Sequence, residues 1–342
     1  MRKEIMAFSN KQVEYIFDGN FSQLAAIFQS DKLVIVTDEN VFKVHSSKFE
    51  GFTTIQLPAG EEFKQQRTVD DIISKLLELE ADKQTILVGV GGGVITDMTG
   101  YAASIYKRGI KLVQVPTSVL AMVDASVGGK NGVDVGPYKN MVGTVYQPDL
   151  LLFDYSFLDT LPEEEWVNGF AEIIKHACIK DADFFDFLSS KNLDDFRKDK
   201  TLLAALIEKN VAIKTTVVLK DEFETGDRKL LNFGHTIGHA IENIYQLPHG
   251  HAVSIGMLAA CRISEEINNF SSIEKEKLAN LLQRYHLPVE FSFDKENIWK
   301  ILVMDKKRSN DSMSFILLDT IGKAVIKPIP LVQLKDLINQ CL

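Results

Sequence analysis

The stretch TILVGVGGGVITDMTGYAASIY, Thr85–Tyr106, decides how the fold is read. Thr85–Val90 is a run of β-branched and aliphatic residues with no polar alternation, the pattern of a strand buried on both faces in a parallel sheet. Glycines follow at once, and Val94–Tyr106 then reads as a helix. In the turn GVGGGVITD (Gly89–Asp97), glycines let the backbone approach a phosphate, and the helix N-terminus offers free N–H groups and the positive end of its dipole. The spacing departs from the G-x-G-x-x-G fingerprint, because Val94 stands where the last glycine would be. The expectation is a pyrophosphate-binding turn of non-standard spacing. Tight packing of a helix on a sheet would explain the same glycines.

The pattern extends to both sides. LVIVT (Leu33–Thr37), TTIQL (Thr53–Leu57) and KLVQV (Lys111–Val115) read as further buried strands, and Val69–Leu79 carries apolar residues at helical spacing. Strands alternating with helices predict a mostly parallel sheet covered on both faces, with ligands at the carboxyl ends of its strands. Asp38, directly after the first of these strands, suits a ribose hydroxyl or a helix N-cap. VDASVGGKNGVD (Val123–Asp134) and GPYKN (Gly136–Asn140) read as a glycine-bearing loop. Beside Asp124, their basic and amide groups Lys130, Lys139 and Asn140 suit a phosphate or carboxylate unless the loop is a plain surface turn.

After LLLF (Leu150–Phe153) the character changes. Pro162 followed by EEEW is a helix start. Helices are expected at Glu163–Ile179, Thr201–Leu219, Thr236–Tyr245, Ala252–Asn268 and Ser272–Tyr285, then a hairpin of Ser312–Leu318 and Lys323–Ile329. An α/β domain over 1–155 and a mainly helical domain over 156–342 suit a chain of 342 residues, at roughly 100–200 residues per domain. Hydrophobic residues at 45% and charged residues at 25% exclude a disordered, collagenous or coiled-coil chain. A net charge of -9 gives no reason to expect nucleic acid or an anionic membrane as partner. Cys178, Cys261 and Cys341 form no CxxC pair, and neither a signal peptide nor an apolar span is evident, so a cytoplasmic location is expected.

Four of the seven histidines fall between His235 and His251. His235 and His239 are four apart and share a helix face, and HGH supplies His249 and His251. Upstream, FAEIIKHA carries Glu172 and Lys175. One Glu and two His form a zinc-type ligand set that leaves a position for substrate. Spacing alone selects Glu172, His235 and His239. Between them, DEFETGDRKLLNFGH carries Glu222, Glu224, Arg228, Lys229 and Asn232, a solvated loop or an anion-binding one, and DKKR (Asp305–Arg308) is a second basic cluster.

GVGGGVITDMTGYAA, PTSVLAMVDASVGGKNGV, YKNMVGTVYQP, GFAEIIKHA, DEFETGDRKLLNFGHTIGHAIE, HGHAVSIGM and MDKK follow one another in order, with PAGEEFK (Pro58–Lys64) ahead of them. Together they resemble the motifs of the 3-dehydroquinate synthases, sugar-phosphate cyclases, over nearly the whole chain. The resemblance implies a Rossmann-like α/β domain binding NAD, a helical domain binding metal and substrate, an active site in the cleft, and a homodimer. The implied reaction converts 3-deoxy-D-arabino-heptulosonate 7-phosphate to 3-dehydroquinate and phosphate. The implied metal is usually zinc, with cobalt or another divalent ion as alternatives.

By position, the resemblance assigns the metal to Glu172, His235 and His251, replacing the choice made from spacing. It assigns NAD to Asp38, Asn40, Glu61, Lys64, Gly92, Gly93, Val94, Asp97, Thr117, Ser118, Lys139, Thr160 and Asn168. Substrate falls to Asp124, Lys130, Asn140, Lys175, Lys214, Arg228, Asn232 and one of Lys306 or Lys307. Arg108 matches an arginine that reaches the neighbouring subunit's phosphate site, and Glu224 and His239 match proton-transfer positions. Ser118 and Ala125 stand where Thr and Ser are common, and Tyr138 rather than Gly precedes Lys139.

Overall fold

The computed structural model describes residues 1–136, 138–304, 308–309 and 311–341. It divides into two compact units, Met1–Glu165 with Thr201–Phe223, and Trp166–Lys200 with Glu224–Leu342. This division differs from a single cut near residue 155. The helix Lys200–Lys220 belongs to the first unit because its side chains find their partners there. Glu208 pairs with Arg2 at 2.5 Å, and Lys214 reaches Asp124. A boundary read along the sequence has no way to express a helix that packs backwards.

Among the described residues, the first unit holds nine strands: β1 (Arg2–Ala7), β2 (Gln12–Phe17), β3 (Leu33–Asp38), β4 (Thr53–Leu57), β5 (Ile86–Gly91), β6 (Lys111–Pro116), β7 (Lys130–Val135), β8 (Tyr138–Val145) and β9 (Leu150–Phe153). Seven form one sheet in the order β1-β2-β9-β6-β5-β3-β4, parallel throughout except for the β1–β2 hairpin at its edge. Both faces are buried, as the unalternating strands require. Val34, Val36 and Leu87 pack under the helices Gln66–Glu78 and Gly93–Ile105, while Leu33, Ile35, Val88 and Val90 face Phe21, Phe49 and Phe157. Strand order reverses between β3 and β5, since β4 lies outside β3 and the chain then crosses to its other side. The carboxyl ends of β3 and β5 therefore flank a topological switch point, the usual ligand site of such sheets.

The segment read as a glycine-bearing loop is ordered differently. Ala121–Ala125 forms a π-helical turn, and β7 and β8 pair as an antiparallel ribbon. Its glycines serve strand crossing: Gly132 and Gly143 face one another in register. The N-terminal β1–β2 hairpin has no counterpart in the sequence-based expectations.

The second unit is built on the helices Glu163–Lys180, His235–Tyr245, His249–Asn268 and Ser272–Arg284. A three-stranded sheet joins them: β10 (Arg308–Ser309), β11 (Ser312–Thr320) and β12 (Lys323–Pro330). The two histidine-bearing helices are joined by a sharp turn. Gln246 ends the first at φ 53°, and Pro248 caps the next. They approach so closely that a Cβ at Gly256 would overlap the Gly234 carbonyl oxygen, which fixes glycine there.

Candidate active site

In the first unit, strand register sets the frame. Thr37 pairs with Val90 and Gly91 with Pro116, so Asp38, the glycine turn and Thr117 stand at the carboxyl ends of adjacent strands. Gly92 caps the helix Gly93–Ile105 without any side-chain acceptor, and Gly93 and Val94 open its first turn. A Cβ on Gly93 would lie 3.3 Å from that of Ala125, so a bare backbone suits the place. Asp38 Oδ1 accepts hydrogen bonds from the N–H groups of Asn40 and Val41 at 2.9 and 3.0 Å. The cap reading of Asp38 is thus realised, and burial raises its carboxyl above the ordinary value.

A polar network sits beside this turn. Lys64 Nζ lies 2.6 Å from Asp97 and 2.6 Å from Asn140 Oδ1. Burial works against the Lys64 ammonium, but Asp97 and Glu61 outweigh it and hold the charged form. Lys139 Nζ reaches Glu61 at 2.9 Å. Asn140, at φ 54°, donates its backbone N–H to Asp134 at 2.7 Å. Thr117 N–H donates to the Gly91 carbonyl, Ser118 Oγ accepts from Ala121 N–H, and Thr160 Oγ1 lies 2.8 Å from His45 Nε2. Lys214 contacts Asp124 twice, at its carboxylate (2.7 Å) and its carbonyl (2.5 Å). Lys130 opens β7 at the surface, and Arg108 is exposed at φ 62°.

In the second unit, Glu172 is fully buried on the helix Glu163–Lys180, and Lys175, one turn on, bonds its Oε2. Oε1 is buried without a hydrogen-bond partner. It lies 3.3 Å from His235 Nε2 and 3.4 Å from His249 Nε2. Ligands at about 2.0–2.1 Å around one tetrahedral ion stand roughly 3.3–3.4 Å apart. An orphaned carboxylate oxygen and two imidazole nitrogens at that spacing fit a zinc-type ion.

The site's charges respond to burial and to one another. Burial would raise Glu172, but Lys175 and His235 overcome it and hold the carboxyl well below its usual range. Burial keeps His235 below the ordinary histidine value despite Glu172. For His249, burial is outweighed by the neighbouring Glu172 and Glu242 carboxylates, which raise it to about 10.

The third histidine differs from both expectations. Glu172, His235 and His249 converge, and His251 belongs to no ligand-competent group of three among the described residues. His249 and His251 open one helix, and two residues at 3.6 per turn place them roughly 200° apart, so they face different directions. His239, the choice from spacing, lies beside the group with its ring 5.1 Å from that of His235. Glu242 was not singled out in the sequence. Its signal is the i, i+7 spacing from His235 on one helix face.

Other expected residues are placed as follows. Arg228 is buried in the turn Asp227–Asn232, so this charged run is no simple solvated loop. Asn232 Nδ2 donates to Glu224 Oε1 at 2.6 Å. Asn168 Oδ1 accepts from Gly250 N–H at 3.1 Å. Lys306 and Lys307 lie outside the described residues.

Comparison with known proteins agrees. The family model for the 3-dehydroquinate synthase N-terminal region matches residues 54–168, and that for the C-terminal region matches 169–308. The chain is 41% identical over 317 residues to 3-dehydroquinate synthase of Campylobacter concisus, covering 90% of each. It is 41% identical over 313 residues to that of Nitratiruptor sp., covering 89% and 88%. In fold it is similar to 2-epi-5-epi-valiolone synthase of Streptomyces hygroscopicus subsp. jinggangensis, at TM-score 0.88 and 24% identity over 99% of each chain. With both halves matched in order and two-fifths of the residues shared with such relatives over nine-tenths of its length, the chain belongs to the 3-dehydroquinate synthase family.

Proposed function

We propose that this chain converts 3-deoxy-D-arabino-heptulosonate 7-phosphate to 3-dehydroquinate and phosphate, a step of the shikimate route to aromatic amino acids. The observation that carries the reading is the convergence of the buried Glu172 oxygen with His235 and His249 in a chain of this family. The first unit would hold NAD at its glycine turn, and the second a divalent ion on Glu172, His235 and His249. In support, the valiolone synthase structure contains NAD+ and Zn2+. When bound, NAD accepts and returns a hydride, and the ion, zinc or cobalt, acidifies the hydroxyl being oxidised.

The remaining work falls to side chains. Lys214, Arg228 and Asn232 anchor the substrate carboxylate and orient the ring. Lys130, Asn140 and one of Lys306 or Lys307 hold the phosphate, so that it leaves by β-elimination with its own oxygen near the departing C–H proton. Lys175 keeps Glu172 ionised. Asp124 orients Lys214 toward its task, and Glu224 and His239 pass protons as the ring opens and recloses by an intramolecular aldol step. Asp38, Asn40, Glu61, Lys64, Gly92, Gly93, Val94, Asp97, Thr117, Ser118, Lys139, Thr160 and Asn168 serve NAD. A cytoplasmic homodimer in which Arg108 serves the neighbouring phosphate site belongs to the same reading.

The test is to incubate metal-loaded protein with the heptulosonate phosphate and catalytic NAD. Phosphate release should far exceed the NAD supplied, with no stoichiometric NADH. One NADH per substrate would mark a polyol dehydrogenase, and absence of turnover would overturn the reading.

A further inference from the structure

We infer that Glu242 is a positioning residue for the metal centre, orienting His249 through its ring Nδ1. The inference rests on the proposed metal site and extends it by one shell. Glu242 Oε2 lies 3.2 Å from His249 Nδ1, and the same imidazole presents Nε2 to Glu172 Oε1. Both ring nitrogens of His249 are therefore committed. With Nδ1–H donating to a carboxylate, the tautomer leaves the Nε2 lone pair toward the centre.

His235 repeats the arrangement with a different acceptor. Its Nδ1 lies 3.1 Å from the Phe233 carbonyl oxygen, and its Nε2 faces Glu172. The two imidazoles thus converge on one carboxylate oxygen with their far nitrogens tied down, one by backbone and one by a side chain. Only the second can be removed by substitution. Glu242 follows His235 by seven residues on the helix His235–Tyr245, so the helix that delivers one ligand also delivers the acceptor that aims the other. An anionic acceptor also makes His249 the more basic donor of the pair. A rival role is open to the same carboxylate, since Glu242 with His239 and His249 forms a second ligand-competent group. As a ligand there it would bring a second ion.

The experiment is titration of the metal-free full-length chain with Co2+, followed by its absorption bands, and with Zn2+ by competition against a chromophoric chelator. Wild type, Glu242→Gln and Glu242→Leu are compared, with far-UV circular dichroism and the metal-free melting temperature as folding controls. One ion per chain is expected in all three. Affinity should fall about 10–100-fold in Glu242→Leu with altered cobalt bands, and less in Glu242→Gln, whose amide oxygen still accepts from Nδ1–H. Unchanged affinity and bands in Glu242→Leu would overturn the inference, as would two ions per wild-type chain falling to one. The expected losses in a wild type that binds one ion yet releases no phosphate would support the inference while overturning the functional reading.

Discussion

Replacing Lys64 with Met tests the polar network at the glycine turn. Lys64 is 6% exposed and Asp97 15%, so their 2.6 Å contact is largely withdrawn from water. Removing the cation leaves Asp97 without this partner, and Asn140 Oδ1 loses its donor as well. Breaking a buried pair from one side costs about 3–5 kcal/mol. At roughly 2–4 °C per kcal/mol for a unit of this size, the melting temperature should drop by about 6–20 °C. The deficit should also depend on pH. Burial already raises the Asp97 carboxyl while Lys64 opposes the rise, so removing Lys64 raises it further. A raised acid holds its proton in the folded state where the unfolded chain has lost it, so stability falls as pH rises through that window. The deficit should therefore be largest near pH 8 and shrink toward pH 5. Reversible urea unfolding of wild type, Lys64→Met, Asp97→Leu and the double variant measures all of this. The double variant should recover most of the loss, because no charge is then stranded. A Lys64→Met deficit under 1 kcal/mol, or one independent of pH, or additivity in the double variant, would refute the reasoning.

Metal binding should separate the two HGH histidines: His249→Ala should lose more than the roughly 10–100-fold typical of an outer-shell partner, whereas His251→Ala should bind within a few-fold of wild type in a chelator-competition titration. Chelation of the metal should abolish phosphate release, and added zinc or cobalt should restore it. Gly256→Ala should destabilise by about 1–3 kcal/mol, since a Cβ there overlaps the Gly234 carbonyl and must push the helix that begins at His235; chemical denaturation reads the loss, and metal affinity should fall with it. Lys214→Met should lower kcat/KM on the order of 10²–10³-fold by removing a positioned cation, with NAD affinity unchanged by fluorescence titration.

The parallel sheet was legible because its strands carry no polar alternation: Leu33–Thr37, Thr53–Leu57, Thr85–Val90 and Lys111–Val115 each coincide with a strand to within a residue. The β1–β2 hairpin was not, because Arg2–Ala7 alternates exposed and half-exposed residues at a sheet edge and offers no continuous apolar run. The β7–β8 ribbon was hidden by the residues that make it possible. Gly132 and Gly143 sit opposite each other where the strands press close, and glycine reads locally as a loop signal whether it opens a turn or permits a close approach. Lys214 could not be joined to Asp124 from sequence either, because the helix Lys200–Lys220 packs back across 90 residues onto the unit the chain had left.

The proposed metal ligands show where residue types suffice and where helical phase must be known. Glu172 and His235 follow from the cluster of Glu and His in two motifs, since a buried carboxylate on a helix otherwise lacks reason to be there. Choosing among His239, His249 and His251 requires the position at which each helix begins. His239 is four residues past His235, which is favourable only if the shared face is the one turned to Glu172; the ring instead lies beside the group. His249 and His251 lie two apart, which in a strand would align them and in a helix sends them to different sides. Pro248 is the physical reason the geometry favours His249: it caps a helix whose first residue is His249, so that imidazole leaves the helix end toward Glu172, while two residues on His251 faces another side. The same start brings the His249 ring within 3.2 Å of Glu242 on the preceding helix, so one proline places both nitrogens of the proposed ligand.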